Sequence, residues 1–460
     1  MADTERVEQD EQAGRAGRAG SAASVIGVLG AGTMGAGIAQ LAARTGARTL
    51  LFDPIPEALE RGAARAREGL KKEAAKGRIT PEQADTAAKR LEGVGELDAL
   101  APCELVIEAV PERIELKHEL YRRLSEEIVA EECVLASNTS SLLVTAIAAA
   151  ARRPERVVGM HFFNPAPVMR LLEVVAGEQS SERALALAHA TGQAMGKTVI
   201  RAKDGPGFLV NRCNRPFGLE ALRILQERIA DIETIDRIVR TEGAFRMGPF
   251  ELMDLVGVDT GFEISKSFYE QSFGEPRWRP SQITARYVAA GRYGRKSGRG
   301  YYDYSSDPYR PPDPGPPQDG TEGQAQPQDR TRGQAQPQDG PRGQAQPQDG
   351  AGAKASLLAG GVLERIVCQV INECAFALGE GVGSAQDIDT GMVLGLNYPR
   401  GPLAWADEIG IDRVLAVLDG LWEEYREERY RAAPELRRRV RGEQLGRKSG
   451  SGFFVYEAAV

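Results

Sequence analysis

No apolar run in this sequence comes near the roughly 18 residues that a membrane-spanning helix requires, so no membrane partner is expected. Basic blocks of useful length are missing as well, and the formal net charge is −7. Nucleic acid, which demands a clustered positive surface, is therefore not an expected partner. Cysteine is sparse. Cys103, Cys133, Cys213, Cys368 and Cys374 are scattered, lack the spacing of metal ligands and mostly sit in apolar runs. That excludes a disulfide framework, gives no reason to expect a metal, and suits reduced core thiols in a cytoplasmic protein. The first 23 residues hold AGRAGRAG and several acids but no apolar core, so they fit neither a signal peptide nor an acid-poor transit peptide. A disordered extension is expected there.

What is present begins at Val25. Aliphatic residues run into Gly30, Gly32 and Gly35, a G-x-G-x-x-G, and the alanine-rich stretch to Arg44 reads as helix. In a strand–turn–helix unit Gly30 makes the tight turn, Gly32 admits a pyrophosphate and Gly35 lets helix pack on strand. Phosphates then meet a helix N-terminus, with Thr33 and Met34 in its first turn. A glycine-rich turn without ligand is the bland alternative. Against it stands a second strand, Arg48 to Phe52, that ends in Asp53, about 20 residues on, where a carboxylate bonds the ribose hydroxyls of NAD and repels a 2′-phosphate. Pro54, Ile55 and Pro56 follow, with no arginine. NAD is the expected cofactor.

Beyond Asp53 helices are expected over Glu57–Lys76 and from Thr80, an N-cap followed by Pro81, to Leu91. Strands follow at Glu104–Val110, Cys133–Ala136, Arg156–His161, Leu171–Val175 and Thr198–Ile200, with helices between. Repeated strand–helix–strand units through residue 200 predict a Rossmann-type doubly wound α/β sheet. The character changes at Asp204, and Phe208 to about Gly291 is helical. Residues 305–354 are rich in Pro, Gly, Gln and Asp, and GQAQPQD starts at Gly323, Gly333 and Gly343. Such a segment cannot offset its ordering entropy and is expected to be a disordered linker.

The helical region then returns. Gly248, Pro249, Asp254, Gly257 and Asp259 reappear as Gly401, Pro402, Asp407, Gly410 and Asp412, and GRKSG at Gly294 reappears at Gly446. Glu220 and Asp236 recur as Glu373 and Asp389. The expected layout is an extension (1–23), an NAD-binding domain (24–203), a helical domain (204–304), a linker (305–354) and a second helical copy (355–460).

Three histidines limit the candidates for a base. His118 lies in a charged helix and His189 in an alanine-rich one. His161 ends a buried strand, and Glu173 interrupts an otherwise apolar strand shortly after it. A buried carboxylate is costly unless paired. His161 on a neighbouring strand is its nearest plausible partner, and the pair reads either as a general base with its orienting acid or as a structural hydrogen bond.

Taken together, GAGTMGAGIAQ from Gly30, ASNTSS from Ala136, GMHFFNPAPVMRLLEVV from Gly159 and DGPGFLVNR from Asp204 resemble the L-3-hydroxyacyl-CoA dehydrogenase family. The resemblance implies NAD-dependent oxidation of (S)-3-hydroxyacyl-CoA to 3-ketoacyl-CoA in fatty-acid and β-oxidation-type metabolism. It implies that His161 is the general base and Glu173 its partner. It also implies that Ser137 and Asn211 hydrogen-bond the reacting oxygen, while Glu112, Lys117, Ser137 and Asn164 line the NAD site. Gly69 stands where family members often carry a serine, and Lys76 corresponds to a lysine that can meet a CoA phosphate.

The second copy has Glu364 where Asn211 stands, so it is expected to lack the catalytic polar group. In single-copy relatives this domain supplies the dimer interface. A homodimer, or an intramolecular pseudo-dimer of the two copies, is therefore expected. The tandem form also resembles bacterial dehydrogenases that oxidise 3-hydroxyadipyl-CoA in phenylacetate degradation. A non-catalytic NAD-binding protein is the reading from a different class.

Overall fold

The computed structural model describes residues 21–305 and 350–457. Most of the expected extension and linker lies outside the described residues. The N-terminal domain interleaves strands and helices. In chain order they are β1 (Val25–Leu29), α1 (Thr33–Arg44), β2 (Arg48–Phe52), α2 (Pro56–Ala75), α3 (Pro81–Arg90), β3 (Leu91–Val94), β4 (Leu105–Glu108), α4 (Ile114–Arg123), β5 (Val134–Ser137), α5 (Val144–Ala148), β6 (Val157–Phe162), β7 (Leu171–Ala176), α6 (Glu182–Ala194) and β8 (Thr198–Lys203). They build one eight-stranded sheet in the order β3-β2-β1-β4-β5-β6-β7-β8.

The order reverses between β1 and β4, which opens a crevice at the carboxyl ends of the strands. Aliphatic side chains on both faces of β1, β4 and β5 are buried, as a sheet covered by helices on both sides demands. Thr80 opens α3 with a reciprocal capping box to Gln83, and Pro81 takes the first helical position. β3, immediately after α3, carries no apolar run and escaped the sequence pattern. The other departure is direction: β7 runs antiparallel to β6, which sets His161 directly opposite Glu173.

Two helical copies follow. The first comprises α7 (Val210–Cys213), α8 (Arg215–Gln226), α9 (Ile232–Thr241), α10 (Pro249–Val256), α11 (Val258–Gln271) and α12 (Gln282–Ala289). The second comprises α13 (Gly350–Gly379), α14 (Ala385–Leu396), α15 (Pro402–Ile409), α16 (Ile411–Tyr425) and α17 (Pro434–Arg441). Where α7 and α8 break, Pro216 removes an N–H from the helical ladder; Gln369 occupies the corresponding place in α13, which runs on unbroken. Matching carboxylates do matching work. Asp236 accepts from Phe250 and Glu251 backbone N–H, Asp389 from those of Leu403 and Ala404. Asp254 ties down Tyr301 and Tyr302, Asp407 ties down Phe453 and Phe454.

Two bounds differ from the expected layout. Ala23 is buried and donates to Thr191 Oγ1, because it leads directly into β1. α13 starts at Gly350, inside the stretch expected to be linker, since alanines and leucines follow it.

The copies face each other through exchanged ion pairs. Arg212 Nε lies 2.9 Å from Glu373 Oε1 and Arg365 Nε 2.5 Å from Glu220 Oε1. Arg212 also reaches Glu380, and Arg365 reaches Glu227. The arrangement is isologous, as in a two-fold dimer. Glu373 keeps a second arginine, Arg277, at 2.9 Å, whereas among the described residues Glu220 has only the Tyr430 hydroxyl besides Arg365. Removing a buried cation strands its carboxylate, so Arg365→Met is expected to cost about 3–5 kcal/mol of stability, and Arg212→Met less. Urea midpoints of the two variants test the order, and a larger loss in Arg212→Met would contradict it.

Candidate active site

The glycine loop sits at the crevice. Asp53 ends β2 and accepts from Ala31 N–H at 2.8 Å and Ile55 N–H at 3.0 Å, which fixes the loop against the second strand. No side chain caps α1 at Gly32, so first-turn N–H groups are left for an anion. A Cβ on Gly32 would meet nothing within 4 Å, whereas one on Gly35 would lie 1.7 Å from the Gly30 carbonyl oxygen. The open cradle at Gly32, Thr33 and Met34, together with the Asp53 carboxylate, fits a dinucleotide without a 2′-phosphate.

Further polar groups gather at the ends of β4 and β5. Lys117, from α4, places Nζ 2.7 Å from Glu108 Oε1, and both side chains are buried. Ser137 Oγ donates to Glu108 Oε2 at 2.7 Å. Glu112 lies 3.2 Å from Lys117 and accepts from Thr139 Oγ1 and from the backbone N–H groups of Ser140 and Ser141. Burial works to raise the Glu112 carboxyl, but Lys117 and these donors outweigh it and hold the group below the usual range. Glu112 thus pins the loop that follows Ser137. Glu108 was missed in the sequence, although an acid in an otherwise apolar strand is the signal that marked Glu173.

His161 ends β6. Its Nδ1 lies 2.6 Å from Glu173 Oε2, and the two residues are 6% and 0% exposed, so little water competes for this contact. The other carboxylate oxygen of Glu173 accepts backbone N–H from Leu209 and Val210 at 3.2 and 3.0 Å. Those residues start α7, which carries Asn211. Phe163 and Phe208 pack on the imidazole with ring centroids 4.8 and 5.7 Å away. Asn164, exposed, follows β6 at the head of a loop that Lys197 holds through the Ala166 and Met169 carbonyls.

Asn211 lines a cavity of about 970 Å3, open mouth included, between α7, α8, α10 and α11. Its walls include Phe217, Leu222, Met253 and Phe262, with Arg215 beside them and Leu396 supplied by the second copy. Arg215 gave no sign in the sequence, because an arginine before a proline at a helix start is ordinary. Lys76 does not line this cavity; it is exposed at the end of α2, where Glu73 pairs with Arg44 at the far end of α1. Nearer the glycine loop, Arg65 donates to Thr33 Oγ1 at 3.0 Å. At Gly69 a Cβ would lie 2.0 Å from Gln40 Oε1, so a side chain there needs Gln40 to move. In the second copy Glu364 pairs with Arg413 at 2.8 Å, and no dyad accompanies it.

The two loop glycines separate binding from folding. Gly32→Ala is expected to change stability by no more than about 1 kcal/mol while weakening NAD binding at least about 10-fold, since the methyl occupies the pyrophosphate approach. Gly35→Ala must push backbone apart and is expected to lower the unfolding midpoint as well. Thermal melts beside NADH fluorescence titrations check both, and unimpaired binding in Gly32→Ala would contradict the cradle.

Comparisons with known proteins agree with this geometry. Residues 25–205 match the family profile described as 3-hydroxyacyl-CoA dehydrogenase, NAD binding domain. Residues 207–304 and 360–456 match that of the 3-hydroxyacyl-CoA dehydrogenase C-terminal domain. A 3-hydroxyadipyl-CoA dehydrogenase of Escherichia coli K12 is 38% identical over 456 residues, covering 89% of this chain and 96% of the relative. A probable 3-hydroxybutyryl-CoA dehydrogenase of Deinococcus radiodurans is 40% identical over 274 residues, covering 60% of this chain and 98% of the relative. Among solved structures, a 3-hydroxybutyryl-CoA dehydrogenase from E. coli K12 superposes with a TM-score of 0.79 at 35% identity, covering 92% of this chain and 99% of that one. With a buried His–Glu pair beside a dinucleotide cradle and the helical domain present twice, the chain belongs to the 3-hydroxyacyl-CoA dehydrogenase family.

Proposed function

We propose that the chain oxidises (S)-3-hydroxyacyl-CoA to 3-ketoacyl-CoA with NAD, using His161 as the base that takes the 3-hydroxyl proton. The observation that carries this assignment is the 2.6 Å contact between His161 Nδ1 and Glu173 beside the crevice. Glu173 accepts the Nδ1 proton, so the lone pair is left on Nε2, the nitrogen that must receive a proton. Glu173 also favours the imidazolium that forms. Asn211 donates to the reacting oxygen, where negative charge develops. Ser137 assists it: its hydroxyl rests on Glu108, and because Lys117 also neutralises Glu108, the hydroxyl can turn to the substrate without leaving that acid unpaired. Bound NAD supplies the hydride acceptor; the cradle from Gly30 to Gly35, Asp53 and the loop pinned by Glu112 position it. A purely NAD-binding protein would have no use for the dyad or for Asn211.

Two further readings have their own support. The match over nearly the whole length of the E. coli 3-hydroxyadipyl-CoA dehydrogenase favours a dicarboxylic acyl group. The exchanged ion pairs support the second copy as a built-in substitute for a dimer partner. Its α14 lies against Ile200, Val210, Leu171 and Phe163, the last beside His161. A cytoplasmic setting fits five buried cysteines without disulfides, with burial pushing the Cys103, Cys133 and Cys368 thiols up to about 12. Among the described residues no helix is long and apolar enough to cross a membrane.

His161→Ala is expected to lower kcat by about 10²–10⁴-fold, in the range of a lost general base. NADH oxidation at 340 nm with acetoacetyl-CoA reads it. Glu173→Gln should lower kcat while leaving NADH affinity unaffected, and near-normal turnover in either variant would sink the assignment. A chain ending at Tyr304 should self-associate or precipitate and lose kcat/KM. If it stays soluble, monomeric and fully active, the packing role of the second copy is wrong.

A further inference from the structure

Among the described residues Arg215 is the only charged side chain lining the cavity beside Asn211. It meets no acid. Nη1 donates to Ser265 Oγ at 3.0 Å, the guanidinium lies over the Phe268 ring at 4.9 Å, and Nε finds no hydrogen-bond partner. Burial alone pulls its pKa down to about 10, with no carboxylate nearby to hold it up. Arginines buried elsewhere in the helical domains are paired: Arg212 with Glu373, Arg240 with Glu251, Arg365 with Glu220. A desolvated cation costs several kcal/mol unless an anion joins it. Here the fold spends that cost at the wall of a cavity.

We infer that Arg215 receives a carboxylate at the far end of the substrate's acyl chain, which makes this cavity selective for dicarboxylic acyl-CoA thioesters of about six carbons. The inference rests on the 3-hydroxyacyl-CoA dehydrogenase reading above and assigns one of its specificity residues. Asn211 and Arg215 stand four residues apart across the α7–α8 break, about 6 Å at the helical rise per residue. In a six-carbon dicarboxylic chain three carbon–carbon bonds, about 4 Å extended at roughly 1.5 Å per bond, separate C3 from the terminal carboxyl, and the oxygen at each end lengthens the reach. An oxygen on C3 held by Asn211 therefore leaves the carboxylate in the part of the cavity that Arg215 also lines. Its planar fork suits such a group. Leu222, Met253 and Phe262 supply apolar walls for the methylenes between. A monocarboxylic chain of equal length would leave a methyl facing an unneutralised cation.

The experiment compares kcat/KM for 3-hydroxyadipyl-CoA and 3-hydroxyhexanoyl-CoA in the full-length chain, in Arg215→Met and in Arg215→Lys. The wild-type ratio should favour the dicarboxylic substrate. It should fall by about 100-fold in Arg215→Met, as for a lost partner of a buried ion pair, and only partly in Arg215→Lys. A ratio near unity in the wild type overturns the inference even if the variants fail to fold. So does a ratio that Arg215→Met leaves unchanged, including the case where both substrates weaken equally because the arginine serves coenzyme A itself. If the wild type oxidises neither thioester, the dehydrogenase reading has failed, and the inference with it.

Discussion

The site depends on one carboxylate that water does not reach. Glu173 lies in the middle of β7 with no exposed surface, and an isolated charge there would be untenable. Three donors make it tenable: the His161 ring nitrogen on one oxygen and the Leu209 and Val210 backbone N–H groups on the other. Hydrogen bonds to a charged group contribute about 1.5–3 kcal/mol each, so the set is comparable with the desolvation it offsets. The consequence is geometric. The acid that orients the imidazole is the same acid that anchors the first turn of the helical domain, and Asn211 is carried on that turn. Domain docking and assembly of the chemistry are a single event.

That carboxylate was legible in the sequence because a strand of leucines and valines has no other reason to hold an acid. The direction of β7 was not legible. Asn164, Pro165 and Pro167 announce a loop, but a loop of that length serves a crossover or a reversal equally well, and only the reversal sets residue 173 against residue 161. Glu108 is likewise an acid in an otherwise apolar strand, yet the histidine nearest to it in sequence, His118, lies in a charged helix and suggested no partner, and its lysine comes from that same helix. Arg215 lay beyond sequence reasoning altogether. Its isolation from acids comes from α11 closing over it, with Phe268 packed where Gly207 has no side chain, and such a contact joins segments that nothing local connects.

The repeat shows which positions are tied to architecture. Asp236 and Asp389, Asp254 and Asp407, Glu220 and Glu373, Arg212 and Arg365 are identical in kind and buried in equivalent roles. Each satisfies backbone groups or a charge that would otherwise be stranded, so replacing one alone is costly in either copy. Asn211 has no such structural task, because its side chain faces a cavity. Its counterpart, Glu364, sits at the surface with Arg413, where a change of residue strands nothing.

Joining the copies in one chain changes what the interface must achieve. Two separate subunits must offset the entropy of association, and their contacts weaken on dilution. Covalent linkage in one chain replaces that with an effective concentration on the order of millimolar. The exchanged pairs from Arg212 and Arg365 then need only select the right docking geometry. Only one copy is joined to a dinucleotide-binding domain, so the pair has one crevice and one dyad where a homodimer would have two. In the proposed arrangement the second copy takes no part in the chemistry but still packs on the site, since Leu396 lines the cavity and α14 supports Phe163 beside the imidazole. Its loss would therefore be felt at His161 rather than only at an outer surface.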